Sequence, residues 1–110
     1  MESQALEVVI SEETFISLEK IYEYGIETFS YNAATIFIEE LTDKIENLSD
    51  RYLLNPECRF LPTKSKMYRM LIFGSYVVIY RITKLRVEVL NVFHSSRSVN
   101  VIKTARSIKL

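Results

Sequence analysis

The sequence lacks the features that mark disordered, linker-rich or membrane-spanning proteins. Its 110 residues include only two Gly and two Pro, and no low-complexity tract or internal repeat interrupts them. No apolar run approaches the roughly 20 residues needed to span a bilayer. A basic segment followed by a long apolar one, as in a secretory leader, is also missing at the N-terminus. We therefore expect one globular domain over residues 1–110 in the cytoplasm, with no membrane partner.

Several chemical motifs are missing as well. The single cysteine, Cys58, cannot form an intramolecular disulfide, and no second Cys or nearby His gives it the spacing of a metal site. The sequence contains no Gly-rich phosphate loop, serine elbow or paired-carboxylate motif. We expect no metal and no cofactor, and we interpret Cys58 as having no chemical role.

Acidic and basic residues are separated along the chain. Residues 1–50 carry twelve acidic and two basic side chains, whereas residues 51–110 carry twelve basic and two acidic ones. The formal net charge of zero therefore hides an acidic half and a basic half. The basic half suits an acidic partner segment or a nucleic acid. The alternative is that the two halves attract one another and solvate their outer faces.

The first half of the sequence predicts a strand followed by two helices. Ala5–Ile10 is short, apolar and β-branched, and it ends at Ser11. Apolar residues at spacings of three and four then predict one helix to about Phe29 and another, capped by Ser30, that ends near Ser49. The first helix has its apolar stripe at Phe15, Leu18, Tyr22, Ile26 and Phe29, and the second at Ala34, Phe37, Leu41, Ile45 and Leu48. So short a break predicts an antiparallel hairpin, which needs a sheet to cover its apolar stripes.

The second half predicts an ordered loop over residues 50–66 and then three strands. Runs rich in β-branched and aromatic residues place these strands at Met67–Phe73, Tyr76–Ile82 and Val87–Phe93. The tail from Ser98 onward fits either a short basic helix or a loose segment. The predicted fold class is α+β: an N-terminal strand, an antiparallel helical hairpin packed on an antiparallel sheet with a three-stranded C-terminal meander, and a short C-terminal helix or tail.

The two turns of the meander decide which basic residues share a face. Gly74-Ser75 suits a type II′ hairpin turn, and Lys84-Leu85 is a weaker second turn. The first turn places Arg69 and Arg81 on opposite faces unless a bulge intervenes. With the second turn, Arg81 and His94 share one face, so we expect these two to work together.

Each of these basic groups has a structural and a functional interpretation. Arg81 either pairs with Glu88 opposite it or serves a partner. His94, the only histidine, is either a strand-end residue bonded to backbone or a proton-transfer group. Arg97 has no acidic neighbour in sequence and is available to a partner. The predicted partner-binding residues are Lys64, Lys66, Arg69, Arg81, His94 and Arg97.

The order of elements, together with four short motifs, resembles the RelE/ParE superfamily of bacterial toxins. The motifs are Tyr68-Arg69, Gly74-Ser75-Tyr76, Ile79-Tyr80-Arg81 and His94-x-x-Arg97, and the resemblance extends from Leu6 to about Val101. It implies the toxin half of a type II toxin–antitoxin module. Such a toxin is held inactive by a co-expressed antitoxin that wraps it with an extended or helical tail.

The superfamily contains two main activities. RelE-like members bind the ribosomal A site and cut mRNA with basic and aromatic side chains, whereas ParE-like members bind DNA gyrase and trap its cleaved complex. The long hairpin over about Glu12–Ser49 resembles the ParE-like branch. Val77 stands where ribonucleases often carry an arginine, and Ser95 and Val101 stand where they place a tyrosine or further basic group. A net charge of zero also suits ribosomal RNA poorly.

We therefore expect a ParE-like toxin that binds DNA gyrase and has no chemistry of its own. The alternative is a ribosome-dependent mRNA endoribonuclease, in which Arg81 and Arg97 clamp phosphate and His94 acts as acid or base. A third possibility is a degenerate member that only binds its antitoxin.

Overall fold

A computed structural model describes residues 4–110 of the chain. In chain order the elements are β1 (Glu7–Ile10), α1 (Glu12–Thr28), α2 (Tyr31–Glu46), α3 (Leu48–Arg51), β2 (Tyr68–Phe73), β3 (Tyr76–Ile82), β4 (Arg86–His94) and α4 (Val99–Lys103), and a 3₁₀ turn at Thr104–Ser107 follows α4. The α+β prediction is confirmed, including the helical hairpin, the meander and a short helix near the C-terminus. Among these residues no helix is both long and apolar enough to cross a membrane.

The four strands form one sheet in the order β1-β4-β3-β2. Strands β2, β3 and β4 pair antiparallel as a meander, and β1 lies parallel to β4 at one edge. The sheet is therefore mixed. The parallel pairing of β1 is possible because the helical hairpin that follows it carries the chain back to the end of the sheet where β1 begins. The other edge is β2, whose first half is covered by the preceding loop through a bridge between Glu57 and Arg69.

The predicted helix caps and the first turn are confirmed. The side-chain oxygens of Ser11 and Ser30 accept hydrogen bonds from the backbone N–H groups of Thr14 and Ala33, each at 3.0 Å, which satisfies donors that a helix N-terminus leaves free. Gly74 has φ +58°, the left-handed value that the first position of a type II′ turn requires. The cap at Ser11 also donates to the Leu90 carbonyl at 2.6 Å, and so fixes the start of α1 to β4.

Each face of the sheet carries its own apolar core. The hairpin face lies under α2 and α3, and its core includes Leu41, Ile45, Val78, Tyr80 and Val89. The tail face lies under α4 and the 3₁₀ turn, and its core includes Cys58, Met70, Ile79, Leu90 and Ile102. Burial raises the pKa of the Cys58 thiol, which lowers its reactivity and agrees with its interpretation as a packing residue.

The predicted apolar stripe is confirmed for α2 and is wrong for most of α1. In α2, Leu41 and Ile45 are fully buried. Phe15 in α1 and Phe29 at its C-cap are 57% and 73% exposed, although the spacing predicts that both face the sheet. Of the predicted stripe, Leu18 does pack against the core. The other residues that α1 turns inward are displaced by one position from the predicted ones: Thr14, Ile21 and Gly25.

Candidate functional site

A β-bulge in β4 decides where the predicted site residues lie. Arg81 pairs with Glu88 and Tyr80 with Val89, but Ile79 pairs with Asn91 rather than Leu90. The additional residue in β4 reverses the alternation of faces beyond this point. Arg81 therefore lies on the tail face and His94 on the hairpin face. The expectation that Arg81 and His94 share a face is wrong, because the turn residues alone give no sign of a bulge at Leu90.

Arg81 is held in a network on the tail face. Its guanidinium donates from Nε to Glu88 Oε1 at 2.7 Å and from NH2 to the Ile108 carbonyl at 3.3 Å. It also lies 5.7 Å from the centre of the Tyr68 ring. Burial by itself lowers the pKa of Arg81, but the hydrogen bonds to Tyr68 and Glu88 outweigh burial and hold this pKa above its usual value. The pairing of Arg81 with Glu88 confirms the structural interpretation of this arginine.

Glu88 is the centre of that network. It is buried, and its two carboxylate oxygens form ion pairs with different arginines. Oε1 lies 2.7 Å from Arg81 Nη2, and Oε2 lies 2.7 Å from Arg86 Nη2. Burial raises the pKa of Glu88, but the hydrogen bonds from Arg81 and Arg86 outweigh it and leave the pKa below its ordinary value. The network also joins the sheet to the end of the chain, because Arg86 reaches the Leu110 carbonyl at 3.4 Å.

His94 lies at the exposed end of β4, beside the Gly74-Ser75 turn. Its ring makes an edge contact with Tyr76 on the neighbouring strand, with ring centres 5.3 Å apart. The backbone N–H of Ser96 donates to His94 Nδ1 at 3.1 Å. Since a backbone N–H can only donate, Nδ1 is an acceptor, and the neutral ring carries its proton on Nε2. In this tautomer Nε2 is free to donate a hydrogen bond.

A groove of about 300 Å³ brings His94 and Arg97 together with Lys20 of α1. Its wall includes Tyr76, whose pKa is raised by burial and by the neighbouring Tyr24, so the phenol stays neutral near pH 7. Ser17 donates to the Asn91 side chain at 2.6 Å and so ties α1 to β4 along the groove. We call this groove the His94 groove. Sequence reasoning missed Lys20, since nothing in a helix sequence tells which exposed lysine will lie beside a distant strand end.

An apolar cleft of about 200 Å³ adjoins the His94 groove. The two share Ile21 and Tyr76. The other residues that line the cleft come from the hairpin: Gly25, Phe29, Ala33, Ala34 and Phe37. A Cβ at Gly25 would lie only 2.9 Å from the Cβ of Ala34. Helices α1 and α2 can therefore approach this closely only because both residues are small. Sequence reasoning missed this cleft because it treated Phe29 and Phe37 as core.

The other predicted partner residues lie at the opposite end of the sheet. Arg69 and Lys66 line a groove of about 400 Å³ with Lys84, and Lys64 lies exposed in the same loop. This end and the His94 groove are separated by the length of β2, which is six residues and about 20 Å at roughly 3.3 Å per residue. The six predicted residues therefore divide into three groups: Lys64, Lys66 and Arg69 at one end, His94 and Arg97 at the other, and Arg81 in the network on the tail face.

The predicted site residues are divided between the two faces and the two ends of the sheet. His94 holds its proton on Nε2, and Arg81 lies across the sheet from it. Within residues 4–110, no group of three or more His, Cys, Asp or Glu side chains is placed to hold a metal ion. Exposed cations beside an apolar cleft can instead bind an acidic or amphipathic surface.

Comparisons with known proteins show the family of the chain. No curated protein matches the chain. Among solved structures, the fold is similar to one titled "Chromosomal ParDE TA system from P. aeruginosa", with a TM-score of 0.68 and 12% identity over 84% of this chain and 98% of that one. The sequence profile of the family described as "ParE toxin of type II toxin-antitoxin system, parDE" matches residues 8–99. That match covers well over half of the sequence, and the chain therefore belongs to the ParE toxin family of type II toxin–antitoxin systems.

Proposed function

We propose that this protein is a toxin that arrests growth by binding DNA gyrase in the cytoplasm, with no catalytic chemistry of its own. The observation that carries the proposal is the separation of Arg81 from His94 and Arg97 by the sheet. A ribonuclease needs its phosphate clamp and its acid–base group within hydrogen-bond reach of one scissile phosphate. Arg81 is instead bound to Glu88 at 2.7 Å.

The His94 groove and the apolar cleft support a binding role. Exposed apolar side chains that adjoin one another on a monomer mark interaction surfaces, and aromatic and arginine side chains dominate the energy of protein interfaces. Phe29 and Arg97 supply both kinds of group at one end of the molecule. We infer that the gyrase surface contacts this end.

An antitoxin is the second proposed partner. Membership in the ParE toxin family supports a cognate antitoxin for this chain, and the structurally similar protein is part of a ParDE system. The antitoxin would keep the toxin inactive by covering part of the surface that gyrase needs. Its gene is expected beside the toxin gene, encoding a DNA-binding N-terminal region and an acidic or amphipathic C-terminal tail.

Two assays on the purified toxin test the proposal side by side. One measures DNA supercoiling by gyrase and the accumulation of linear DNA, and the other measures cleavage of mRNA during translation. We expect inhibited supercoiling with linear DNA, and intact mRNA. Codon-biased cuts in translated mRNA together with unaffected gyrase would contradict the proposal. If expression without antitoxin leaves growth unaffected, the protein is a degenerate member that acts on neither target.

A specific observation keeps the ribosome-dependent endoribonuclease as a second candidate. Lys20, His94 and Arg97 line one groove, and these are residue types that can bind phosphate and transfer protons. In that case Lys20 would take the clamp role that Arg81 cannot reach. The candidate requires His94 to release its bond from Ser96 N–H before it can act as a base through Nε2.

A further inference from the structure

We propose that the groove lined by Lys66, Arg69 and Lys84 binds the phosphodiester backbone of double-stranded DNA. The inference rests on the proposed function, since a toxin that acts on gyrase meets the DNA that the enzyme holds. The groove has a volume of about 400 Å³ and lies at the end of the sheet opposite the His94 groove. We call it the Lys66 groove.

The cations of the Lys66 groove are not neutralised by acidic side chains. Within the part of the chain that the structure describes, the ion pairs join Glu88 to Arg81 and to Arg86. The carboxylate of Glu57, an acidic group of the preceding loop, is directed to the backbone N–H of Thr63 at 3.4 Å. Lys66 and Lys84 are both exposed. An anion that enters the groove therefore meets positive charge without having to displace a carboxylate.

Arg69 holds the groove in shape. Its Nε donates to the Lys66 carbonyl at 3.0 Å and its NH1 to the Asn55 carbonyl at 2.9 Å. Lys66 has φ +54°, a left-handed conformation that is unfavourable for a residue other than glycine. The surrounding bonds keep it there, including Lys66 N–H to the Thr63 carbonyl at 3.2 Å. Because two backbone carbonyls already hold the Arg69 guanidinium, this side chain loses little further conformational entropy on binding.

The cations of the lining suit the phosphate groups of a nucleic acid. Phosphate contacts in DNA complexes come from Lys, Arg and hydroxyl side chains, and Ser65 adds a hydroxyl group to this groove. An amphipathic peptide also needs exposed apolar area for its own apolar side chains. The groove also exposes apolar area, since Leu53 is 49% exposed and Leu85, next to Lys84, is 83% exposed, so an acidic peptide is the competing occupant that the test includes.

The test compares two double variants of the full chain that remove the same charge. Lys66→Ala/Lys84→Ala removes the cations of the groove, whereas Lys103→Ala/Lys109→Ala removes two exposed cations of the C-terminal segment. Binding of a short fluorescent DNA duplex to the toxin alone is followed by anisotropy at several salt concentrations. Circular dichroism of each variant checks that its fold is retained.

We expect the natural chain to bind the duplex with a steep salt dependence, and the control variant to resemble it. The groove variant should bind the duplex at least about tenfold more weakly. The slope of log K against log salt should become shallower by about 2, because each phosphate that the protein no longer neutralises accounts for roughly 0.9. Three results would each overturn the proposal. They are an equal loss of affinity in both variants, no binding of the duplex by the natural chain, and binding of a poly-glutamate peptide at the groove without binding of DNA. Binding to gyrase in the absence of DNA, measured separately, reports on the proposed function alone.

Discussion

Helices α1 and α2 have similar lengths and the same apolar spacing, yet they use their apolar side chains differently. In α2, Leu41 and Ile45 are fully buried against the sheet. Phe15 in α1 and Phe29 at its C-cap are 57% and 73% exposed. Burying a large apolar side chain is worth roughly 1.5–3 kcal/mol, which α2 contributes to the fold and α1 largely does not. The difference teaches that the same apolar spacing can place a helix's large side chains in the core, as in α2, or leave them at the surface, as in α1.

The physical cause lies in how α1 meets its neighbours. Its N-terminus is fixed to β4 by Ser11 and by Thr14, which are both fully buried. Farther along, Gly25 lies against Ala34 of α2. These small and polar residues set the rotation of the helix, and the larger apolar residues next to them point outward as a result.

The largest expected effect on stability is that of Leu41→Ala in α2. This change removes a fully buried side chain and should lower the free energy of unfolding by about 2–5 kcal/mol. Its matched control on the same helix is Ile36→Ala, where the side chain is 56% exposed and a loss of about 0.5 kcal/mol is expected. Urea unfolding measures both. Similar losses in the two variants would mean that α2 does not have a buried and an exposed side.

A smaller and pH-dependent effect is expected from Glu88 on the tail face. Glu88→Gln weakens the hydrogen bonds to Arg81 and Arg86 and should cost about 2 kcal/mol near pH 7. The folded pKa of Glu88 lies below its ordinary value of 4.5. The contribution of Glu88 to the free energy of unfolding is therefore fully present above about pH 4.5 and is lost as the pH falls through the folded pKa.

Urea unfolding of Glu88→Gln and of the natural chain at several pH values checks this. The difference between them should shrink at acid pH. The loss in Leu41→Ala should stay constant with pH, because burial of an apolar side chain does not depend on protonation. A Glu88→Gln difference that is also constant would show that the network carries no titratable stability.

A still smaller effect is expected where the two helices approach each other. Gly25→Ala places a Cβ 2.9 Å from that of Ala34, so the helices must separate, at a cost of about 1–3 kcal/mol. The gain in helix propensity offsets about 1 kcal/mol of this cost. Urea unfolding should show a net loss of about 1 kcal/mol, against a neutral or slightly stabilising Thr28→Ala control. A stabilised Gly25→Ala would show that the approach at Gly25 does not fix the rotation of α1.

The smallest effect on stability is expected for Phe29→Ser at the end of the hairpin. Because Phe29 is 73% exposed, the free energy of unfolding should change by about 0.5 kcal/mol or less. Binding should change far more, since a buried aromatic anchor at an interface is worth about 2 kcal/mol or more. Calorimetric titration with the antitoxin and with gyrase should show at least one affinity lowered by about tenfold or more. Unchanged affinity for both would mean that α1 serves neither partner, and Glu27→Gln is the control for the same helix end.

The sequence was sufficient for the elements and for much of their pairing. The caps at Ser11 and Ser30 and the type II′ turn at Gly74 follow from local chemistry, and local chemistry is present in the sequence. The charge pairing of Arg81 with Glu88 also follows from counting residues back from the second turn. These features depend on neighbours that are close in sequence or fixed by a short turn.

The candidate site could be predicted only in part, since it depends on packing at long range. The bulge at Leu90 moves His94 to the face opposite Arg81, and no residue type nearby signals it. Lys20 enters the His94 groove because Ser11 and Thr14 fix α1 against β4. The Lys66 groove depends on Arg69 reaching two backbone carbonyls that no sequence pattern reveals.

The growth arrest caused by His94→Ala, expressed without antitoxin, tests the central claim most directly. Loss of a general acid or base typically lowers activity by about 10²–10⁴-fold, whereas loss of one exposed contact in a recognition groove has a much smaller effect. We predict that His94→Ala still arrests growth within about tenfold of the natural chain's potency and still binds the antitoxin. Complete loss of toxicity in a variant that folds and binds its antitoxin normally would contradict the account and identify His94 as a catalytic residue.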